Sequence, residues 1–240
     1  MEMLDPQLVL GAYSVGVFPM ADNRDAASVY WVEPRRRAIL PLDGFRLSKS
    51  LRKRILSDKF RVTVDTAFEQ VVQLCAESVE GRPETWINGG IERVFLTLHA
   101  MGFAHSVECW DGDRLVGGLY GLALGRAFFG ESMVSRATDA SKVALAALVA
   151  RLKAGGFTLL DCQFQTSHLE SLGAIEIGRT DYVALLSAAL AGVVGAGASD
   201  GLAAGDFGAL DRLAGAGSDA ETVSAPVCGK LIAQLLVHTS

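Results

Sequence analysis

The chain has 240 residues, half of which are apolar, and a formal net charge of −5 at pH 7. These values allow one or two domains with a hydrophobic core, and they do not predict a general attraction to nucleic acid. The four cysteines include no Cys-x-x-Cys pair and the histidines show no zinc-ligand spacing, so no metal ion is expected. Neither a signal peptide nor a membrane-spanning segment is evident, so we expect a cytoplasmic protein with reduced cysteines.

A helix and two strands are predicted at the start of the chain. Asp5-Pro6 is a typical helix start because proline suits the first helical position, and Gly16 is expected to end that helix. The segment 29–40 predicts a strand, a turn around Pro34 and a second strand.

Positive charge is concentrated between residues 35 and 61. Ten basic and two acidic residues lie in this segment, so its local net charge of +8 leaves −13 on the rest of the chain. A solvated helix face over 49–59 would explain the run, and so would a contact with a phosphate backbone. The size of the local excess makes the second explanation at least as strong as the first. The candidates for that contact are Arg46, Lys49, Arg52, Lys53 and Arg54.

Two amphipathic helices are predicted next, over residues 65–76 and 88–102. Thr66 and Glu69 have the spacing of a capping box at the start of the first helix. Asn88 is a typical cap for the second helix.

The segment 102–177 predicts a mixed unit of strands and helices. Three strands with tight turns come first, followed by a long helix, a buried strand, a short helix and a last strand. Ser167 and Glu170 have capping-box spacing at the start of the short helix, and Asp139 or Thr138 could cap the long one. The predicted strands cover residues 104–110, 115–124, 127–133, 159–164 and 174–177.

Two polar groups interrupt these apolar strands. Glu131 follows Phe128 and Phe129 at the end of one strand. Asp161 and Gln163 are two residues apart in another strand, so their side chains are expected on one face. A carboxylate inside an apolar strand is costly unless it has a partner. One such aspartate could be satisfied by backbone N–H groups or a helix start, but two polar groups at neighbouring strand ends favour a functional site.

The composition changes after residue 190. Residues 191–220 are rich in Ala, Gly and Asp, which predicts a flexible segment. Apolar residues return over 223–240, and this last stretch could pack back on the body of the protein.

The order of predicted elements is similar to that of the GNAT acetyltransferase fold. A series of short sequence motifs resembles one family more closely. That family is the leucyl/phenylalanyl-tRNA–protein transferases of bacteria. The resemblance covers roughly residues 5–190 and depends on several motifs in order, which makes it specific. The matching motifs are Gly16-Val17-Phe18-Pro19, Thr85-Trp86-Ile87, Leu98-His99, Ala104-His105-Ser106-Val107-Glu108, Leu115-Val116-Gly117-Gly118-Leu119-Tyr120-Gly121, Gly130-Glu131-Ser132-Met133, Asp139-Ala140-Ser141-Lys142, Asp161-Cys162-Gln163 and Ser171-Leu172-Gly173-Ala174.

The resemblance implies an α/β (α+β) fold in which a GNAT-like C-terminal domain packs on a smaller N-terminal α/β domain. We expect the N-terminal domain, with its basic segment, over residues 1–64 and the GNAT-like catalytic domain over 65–190. An Ala/Gly-rich segment and a C-terminal tail are expected over 191–240. The end of a tRNA would enter the cleft between the first two domains.

The resemblance also implies a transfer reaction between two macromolecules. An aminoacyl-tRNA donates Leu or Phe, and sometimes Met, to the N-terminal α-amine of a protein that begins with Arg or Lys. The new residue marks that protein for degradation by the N-end rule. No metal ion or organic cofactor is expected, and we expect the chain to be a monomer.

The resemblance assigns roles to the polar residues. It puts Asp161 and Gln163 at the transfer centre and Glu131 where the family holds the polar end of the aminoacyl group. The acceptor amine must be neutral to attack the ester, and an aspartate in an apolar strand could have a raised pKa and accept its proton. Asp161 could instead only orient Gln163, and both roles stay open. The candidates for substrate contact are Phe128, Phe129, Met133, Trp86, Met20 and Trp31, while Arg46, Lys49, Arg52, Lys53 and Arg54 would contact the tRNA.

Two stretches depart from the family pattern. Where the family has Phe-Pro-Trp, this chain has Phe18-Pro19-Met20, so a methionine replaces a ring that can stack on the terminal adenosine. Where the family has Trp-Trp-Ser-Pro-x-Pro-Arg, the segment 31–37 has one Trp and one Pro fewer. The adenine side of the site is therefore expected to be built differently.

Two other functions compete with the transferase. An acyl-CoA-dependent acetyltransferase needs a Gly-rich loop before its main helix, but residues 134–140 contain no glycine, and Asp139 would repel an anion there. A non-enzymatic RNA-binding module would explain the basic segment, but it would leave Glu131, Asp161 and Gln163 without a role.

Overall fold

The computed structural model describes residues 4–77, 85–191, 204–215 and 227–237. Within these residues, two strands form a small antiparallel ribbon and seven form a mixed sheet. The strands are β1 (Phe18–Met20), β2 (Tyr30–Val32), β3 (Arg36–Ile39), β4 (Arg61–Val64), β5 (Ala104–Asp111), β6 (Arg114–Leu124), β7 (Ala127–Ser135), β8 (Leu159–Gln163) and β9 (Ile175–Gly178). β1 and β2 form the ribbon, and the order in the main sheet is β4-β5-β6-β7-β8-β3-β9. The pair β7 and β8 is parallel.

Helices cover both faces of the main sheet. They are α1 (Pro6–Ser14), α2 (Lys49–Leu56), α3 (Phe68–Ala76), α4 (Gly89–Ala100), α5 (Ala140–Ala154), α6 (Ser167–Ser171), α7 (Arg179–Leu190), α8 (Ala209–Ala214) and α9 (Gly229–Leu236). Adjacent residues of β7 point to different apolar clusters, because Phe128 packs with α2, α5, α8 and α9 whereas Phe129 packs with α1, α3, α4 and α7. None of the described helices is long and apolar enough to span a membrane.

The predicted α/β class is confirmed, and so are most of its elements. The turn at Asp111-Gly112-Asp113 joins β5 to β6, with Gly112 in the left-handed region at φ +60°. The side chain of Asp5 accepts a hydrogen bond from the N–H of Gln7 at the start of α1. Asn88 caps α4 through the N–H groups of its first turn. The turn and cap signals of the sequence therefore located these element boundaries correctly.

The predicted capping box of Thr66 and Glu69 is wrong. α3 begins at Phe68, and the Thr66 hydroxyl donates to Oε2 of Glu108, 3.1 Å away. Glu108 is fully buried on β5, so its carboxylate needs protein donors more than an exposed helix end needs a cap.

Two further helix starts also differ from the prediction. At α6 the side chain of Thr166, one residue before the predicted cap Ser167, accepts from the N–H of Leu169. Asp139 precedes α5 in a left-handed conformation, and its carboxylate lies near Lys142 and Arg54 instead of capping the helix.

Two strands of the first 64 residues, β3 and β4, belong to the main sheet. β3 lies between β8 and β9, and β4 pairs with β5 at the sheet edge. The register puts Ala38 opposite Gln163 and Ile39 opposite Asp161. A domain boundary near residue 64 stays a prediction, but the two segments meet where the polar residues of β8 lie.

The predicted flexible segment 191–220 lies largely outside the described residues. Its described part, 204–215, contains α8, which the buried side chain of Arg151 holds through both carboxylate oxygens of Asp211. The return of the tail to the body of the protein is confirmed, because α9 packs in the same apolar cluster as α2 and α5.

Candidate active site

An apolar pocket of about 270 Å³ lies against β7, β8, α5 and α6. Its polar lining residues include Glu131, Gln163, Ser132, Thr166 and His168, and Trp86 also lines it. The apolar part of the lining includes Leu119, Met133, Leu145, Leu148, Leu160 and Leu169. A mostly apolar cavity with a few convergent polar groups is typical of a small-molecule or side-chain binding site.

The carboxylate of Asp161 is fully buried and fully hydrogen-bonded. Its exposed fraction is 0%, and it accepts from three different residues. Oδ1 accepts from Nε of Arg37 at 2.9 Å and from the backbone N–H of Gln163 at 2.8 Å. Oδ2 accepts from Nη2 of Arg37 at 2.6 Å and from the hydroxyl of Tyr182 at 2.7 Å. These four donors account for the usual acceptor positions of a carboxylate.

Arg37 holds Asp161 from β3 and is itself 1% exposed. Its guanidinium lies between the rings of Phe18 and Tyr182, 4.6 and 4.7 Å from their centroids, and donates to the carbonyl of Gly16. Burial alone would lower the pKa of Arg37, but the hydrogen bonds and charge of Asp161 outweigh burial and raise it. The guanidinium therefore stays charged, as a buried partner of a carboxylate must.

Glu131 presents one satisfied and one open oxygen. Oε1 accepts from the hydroxyl of Tyr13 at 2.7 Å and from Nε2 of Gln163 at 2.8 Å. Oε2 is buried and has no hydrogen-bond partner among the described residues. Burial raises the pKa of Glu131 to about 7, against the lowering effect of the two hydrogen bonds. A buried acceptor left open in a pocket is suited to a ligand that brings its own donor.

Gln163 connects the two carboxylates. It ends β8 in the left-handed region, with φ +61°, which is uncommon for a residue with a side chain. Its backbone N–H donates to Asp161 while its side-chain N–H donates to Glu131. Because Nε2 is the donor of the amide, this contact leaves Oε1 of Gln163 as the acceptor side of the group.

The structure separates the candidates for substrate contact into three groups. Met133 and Trp86 line the pocket. Phe128 and Phe129 lie in the hydrophobic core behind it and are fully buried. Met20 and Trp31 lie on the ribbon of β1 and β2, outside the lining of the pocket, and Trp31 is 39% exposed.

Sequence reasoning assigned no site role to Arg37, Tyr13 and Tyr182. Tyr13 and Arg37 lie 118 and 124 residues from the carboxylates that they bind, and Tyr182 lies 21 residues from Asp161. None of the three interrupts an apolar pattern of its own strand or helix. The sequence offers one signal for Arg37: it ends the segment 31–37, which resembles a sequence motif of the family. Among the described residues, no group of three His, Cys, Asp or Glu side chains could hold a metal ion.

The basic candidates lie on and just before α2. The hydroxyl of Ser48 caps this helix, and Leu51 and Ile55 are its buried residues. Arg46, Lys49, Arg52 and Lys53 are exposed, and Arg54 lies 3.8 Å from Asp139. The predicted exposed basic helix face is therefore present.

The fold and the site define an α/β protein with an apolar pocket that ends at a buried glutamate–glutamine pair. A family model described as leucyl/phenylalanyl-tRNA protein transferase matches residues 39–187, and the model of its N-terminal domain matches residues 2–35. The chain belongs to the leucyl/phenylalanyl-tRNA–protein transferase family. The resemblance found in the sequence is thereby confirmed.

Relatives that bear the family name match most of this chain. The protein of Rhizorhabdus wittichii is 61% identical over 249 residues, which covers 100% of both chains. The protein of Novosphingobium aromaticivorans is 49% identical and covers 99% of this chain and 97% of its own. The protein of Zymomonas mobilis is 61% identical over 188 residues, or 78% of this chain and 70% of its own. Among solved structures, L-PGS from Bacillus licheniformis is 12% identical with a TM-score of 0.40, over 70% of this chain and 55% of that one.

Proposed function

We propose that this chain is an aminoacyltransferase that moves Leu or Phe, and to a lesser extent Met, from aminoacyl-tRNA to proteins. The acceptor is the N-terminal α-amine of a protein that begins with Arg or Lys, and the product is a substrate for N-end-rule degradation. Membership of the family supports the reaction class. The observation that carries the proposal is the apolar pocket with the open oxygen of Glu131 at its polar end.

The pocket suits the side chain of the transferred residue. The lining is mostly apolar and contains leucines and Met133, with Ser132, Thr166 and His168 as further polar residues, so a charged side chain would lose most of its hydration on entry. Such a lining separates apolar side chains that differ by one methylene only weakly, by roughly 1–3 kcal/mol. The pocket therefore favours large apolar residues as a class, in agreement with a donor set of Leu, Phe and Met.

Glu131 binds the amino group of the aminoacyl ester in this proposal. Its open Oε2 accepts from that group, while the hydroxyl of Tyr13 and the amide of Gln163 fix the position of the carboxylate. Burial raises the pKa of Tyr13, so its hydroxyl stays protonated and continues to donate.

The sequence left two roles open for Asp161, proton acceptor or residue that orients Gln163. In this proposal it has the second role. Its oxygens already accept from Arg37, Tyr182 and the backbone of Gln163, so accepting a proton would break contacts that a buried carboxylate needs. Oε1 of Gln163 accepts a hydrogen bond from the attacking amine. The amine nitrogen then forms the new amide bond, the ester C–O bond breaks, and the amine proton goes to the departing ribose oxygen of the tRNA.

No resident cofactor takes part in this reaction, because the ester of aminoacyl-tRNA is already activated. We expect the chain to act as a monomer in the cytoplasm, with charged tRNA and acceptor proteins as its partners. The exposed basic residues of α2 would contact the tRNA backbone.

The test is transfer of labelled Leu or Phe from charged tRNA to a peptide that begins with Arg. We expect transfer by the wild-type chain, a sharp loss in Asp161→Asn, and little change in the exposed control Asp181→Asn. Thermal unfolding of each variant shows whether a loss of activity reflects a loss of folded protein. Equal activity of both variants would contradict the role of Asp161, and tRNA binding without transfer would favour an RNA-binding module. Acetyl transfer from acetyl-CoA would favour the acetyltransferase.

A further inference from the structure

The helix α9 lies outside the part of the chain that the family models match. Those models cover residues 2–35 and 39–187, whereas α9 covers Gly229–Leu236. Its residues Ile232, Ala233 and Leu236 are buried in the apolar cluster that also contains Leu51 and Ile55 of α2. The tail helix therefore packs against the helix that carries the basic residues.

The start of α9 fits closely against the end of α2. The backbone N–H of Gly229 donates to Oδ1 of Asp58 at 2.7 Å, which satisfies a free N–H group of the first turn. A Cβ atom on Gly229 would lie 1.9 Å from the carbonyl oxygen of Ile55, so this contact requires a glycine. The position of α9 relative to α2 is therefore fixed by backbone contacts as well as by apolar packing.

A surface cleft of about 400 Å³ lies between the two helices. Its lining contains two cations and four uncharged residues, namely Arg52, Leu56, Lys230, Ala233, Gln234 and Val237. Leu56 and Val237 are exposed apolar side chains.

The charges around this cleft are mostly positive. Lys49, Arg52, Lys53 and Lys230 are all exposed and make no ion pair within the described residues. Asp58 follows α2 and its Oδ1 accepts from the N–H of Gly229, while Asp139 lies 3.8 Å from Arg54 of α2. Unpaired cations that flank a cleft attract a polyanion and release its counterions on binding.

We propose that α9 is part of the tRNA-binding surface, in which Lys230 contacts the phosphate backbone beside Arg52. The inference rests on the proposed use of tRNA and extends it to a segment beyond the family models. The polyanion that fits is the phosphodiester backbone of the tRNA, with phosphates at Arg52 and Lys230 and a ribose or base face against Leu56 and Val237. α9 also holds α2 in place, so that the cations of both helices face the same stretch of the tRNA backbone.

The test compares tRNA affinity for Lys230→Ala, Lys230→Arg, Arg52→Ala and Arg93→Ala across a salt series from about 50 to 200 mM. Arg93 is the control, because it is exposed on α4, which packs on the opposite face of the sheet. Loss of one phosphate contact is expected to weaken binding about threefold at the lower salt and to reduce the slope of log affinity against log salt by roughly 0.7–0.9. Lys230→Ala and Arg52→Ala should show both effects, Lys230→Arg should restore both, and Arg93→Ala should show neither.

Two results would overturn the inference, and they are distinguishable. If Lys230→Ala matches the wild-type chain while Arg52→Ala binds tRNA more weakly, α2 binds tRNA without help from α9. If the wild-type chain binds no tRNA at any salt concentration, the proposed function fails and the inference fails with it. The KM for charged tRNA, measured for the same variants, is a second readout. Removal of a phosphate contact far from the reacting ester should raise KM and leave kcat unchanged.

Discussion

The guanidinium of Arg37 donates to both carboxylate oxygens of Asp161, at 2.9 and 2.6 Å, with both side chains fully buried. This pair joins β3, from the basic segment, to β8, whose end lines the apolar pocket. A buried ion pair contributes little net stability by itself, but removal of one partner leaves an uncompensated buried charge. The pair is therefore a sensitive point of the fold as well as a support of the site.

Replacement of Arg37 by Met is expected to destabilise the protein by about 3–5 kcal/mol, because Asp161 would remain buried without its cation. Urea unfolding measures this loss. The neighbouring Arg36 is a matched control, since it is exposed and pairs on the surface with Glu176. Arg36→Met should cost about 0–1 kcal/mol. Equal losses in the two variants would contradict the structural importance assigned to the buried pair.

The stability of the protein should depend on pH through Glu131. Burial raises its pKa to about 7 from the ordinary value of 4.5, so the folded chain binds this proton more tightly than the unfolded chain. The contribution of Glu131 to the free energy of unfolding should therefore fall as pH rises from about 4.5 to 7 and stay level above that. Over this pH range the shift in the pKa of Glu131 should lower the free energy of unfolding by roughly 3 kcal/mol.

Glu131→Gln removes this titration and keeps an acceptor for Tyr13 and Gln163. The difference in stability between the wild-type chain and this variant, measured by urea unfolding at pH values from 5 to 8, should favour the variant increasingly as pH rises. A difference that stays constant over this range would show that Glu131 does not titrate there.

Several features of the fold were predictable because their causes are local. The turn at Gly112 and the caps at Asp5 and Asn88 depend on residues that adjoin each other in the chain. Glu131 and Asp161 were also recognisable, because a carboxylate inside an apolar strand is expensive to bury and therefore stands out.

The partners of those carboxylates were not predictable, because tertiary contacts alone bring them together. Tyr13 is 118 residues from Glu131, and Arg37 is 124 residues from Asp161. The same reason explains the wrong cap at Thr66, whose hydroxyl serves the buried Glu108 on another element. A local capping rule cannot detect a competing acceptor that only the folded sheet places nearby.

The size of the pocket should determine which side chain is transferred. Met133 lines the pocket beside Glu131, and Met133→Ala removes apolar contacts with the donor side chain. We expect kcat/KM for Leu to fall about tenfold, with a smaller loss for bulkier apolar residues that can fill the space. Met101, 42% exposed after the end of α4, is a matched control whose replacement by Ala should leave kcat/KM unchanged. An equal loss for all donor residues would indicate a folding defect and not a change in specificity.

Gly229 offers a test of the contact between α9 and α2 that leaves every charge in place. Gly229→Ala puts a methyl group 1.9 Å from the carbonyl oxygen of Ile55, so the backbone must move and the hydrogen bond to Asp58 must lengthen or break. We expect a loss of about 1–3 kcal/mol in thermal or urea unfolding, together with faster amide exchange in α2. Gly11 is the matched control, because it lies within α1 and a Cβ atom there would meet nothing within 4 Å. Gly11→Ala should stabilise the protein by about 0.5–1 kcal/mol, since alanine costs less backbone entropy in a helix. Two substitutions of the same kind should thus act with opposite sign, and a stabilising Gly229→Ala would show that α9 does not need its close fit to α2.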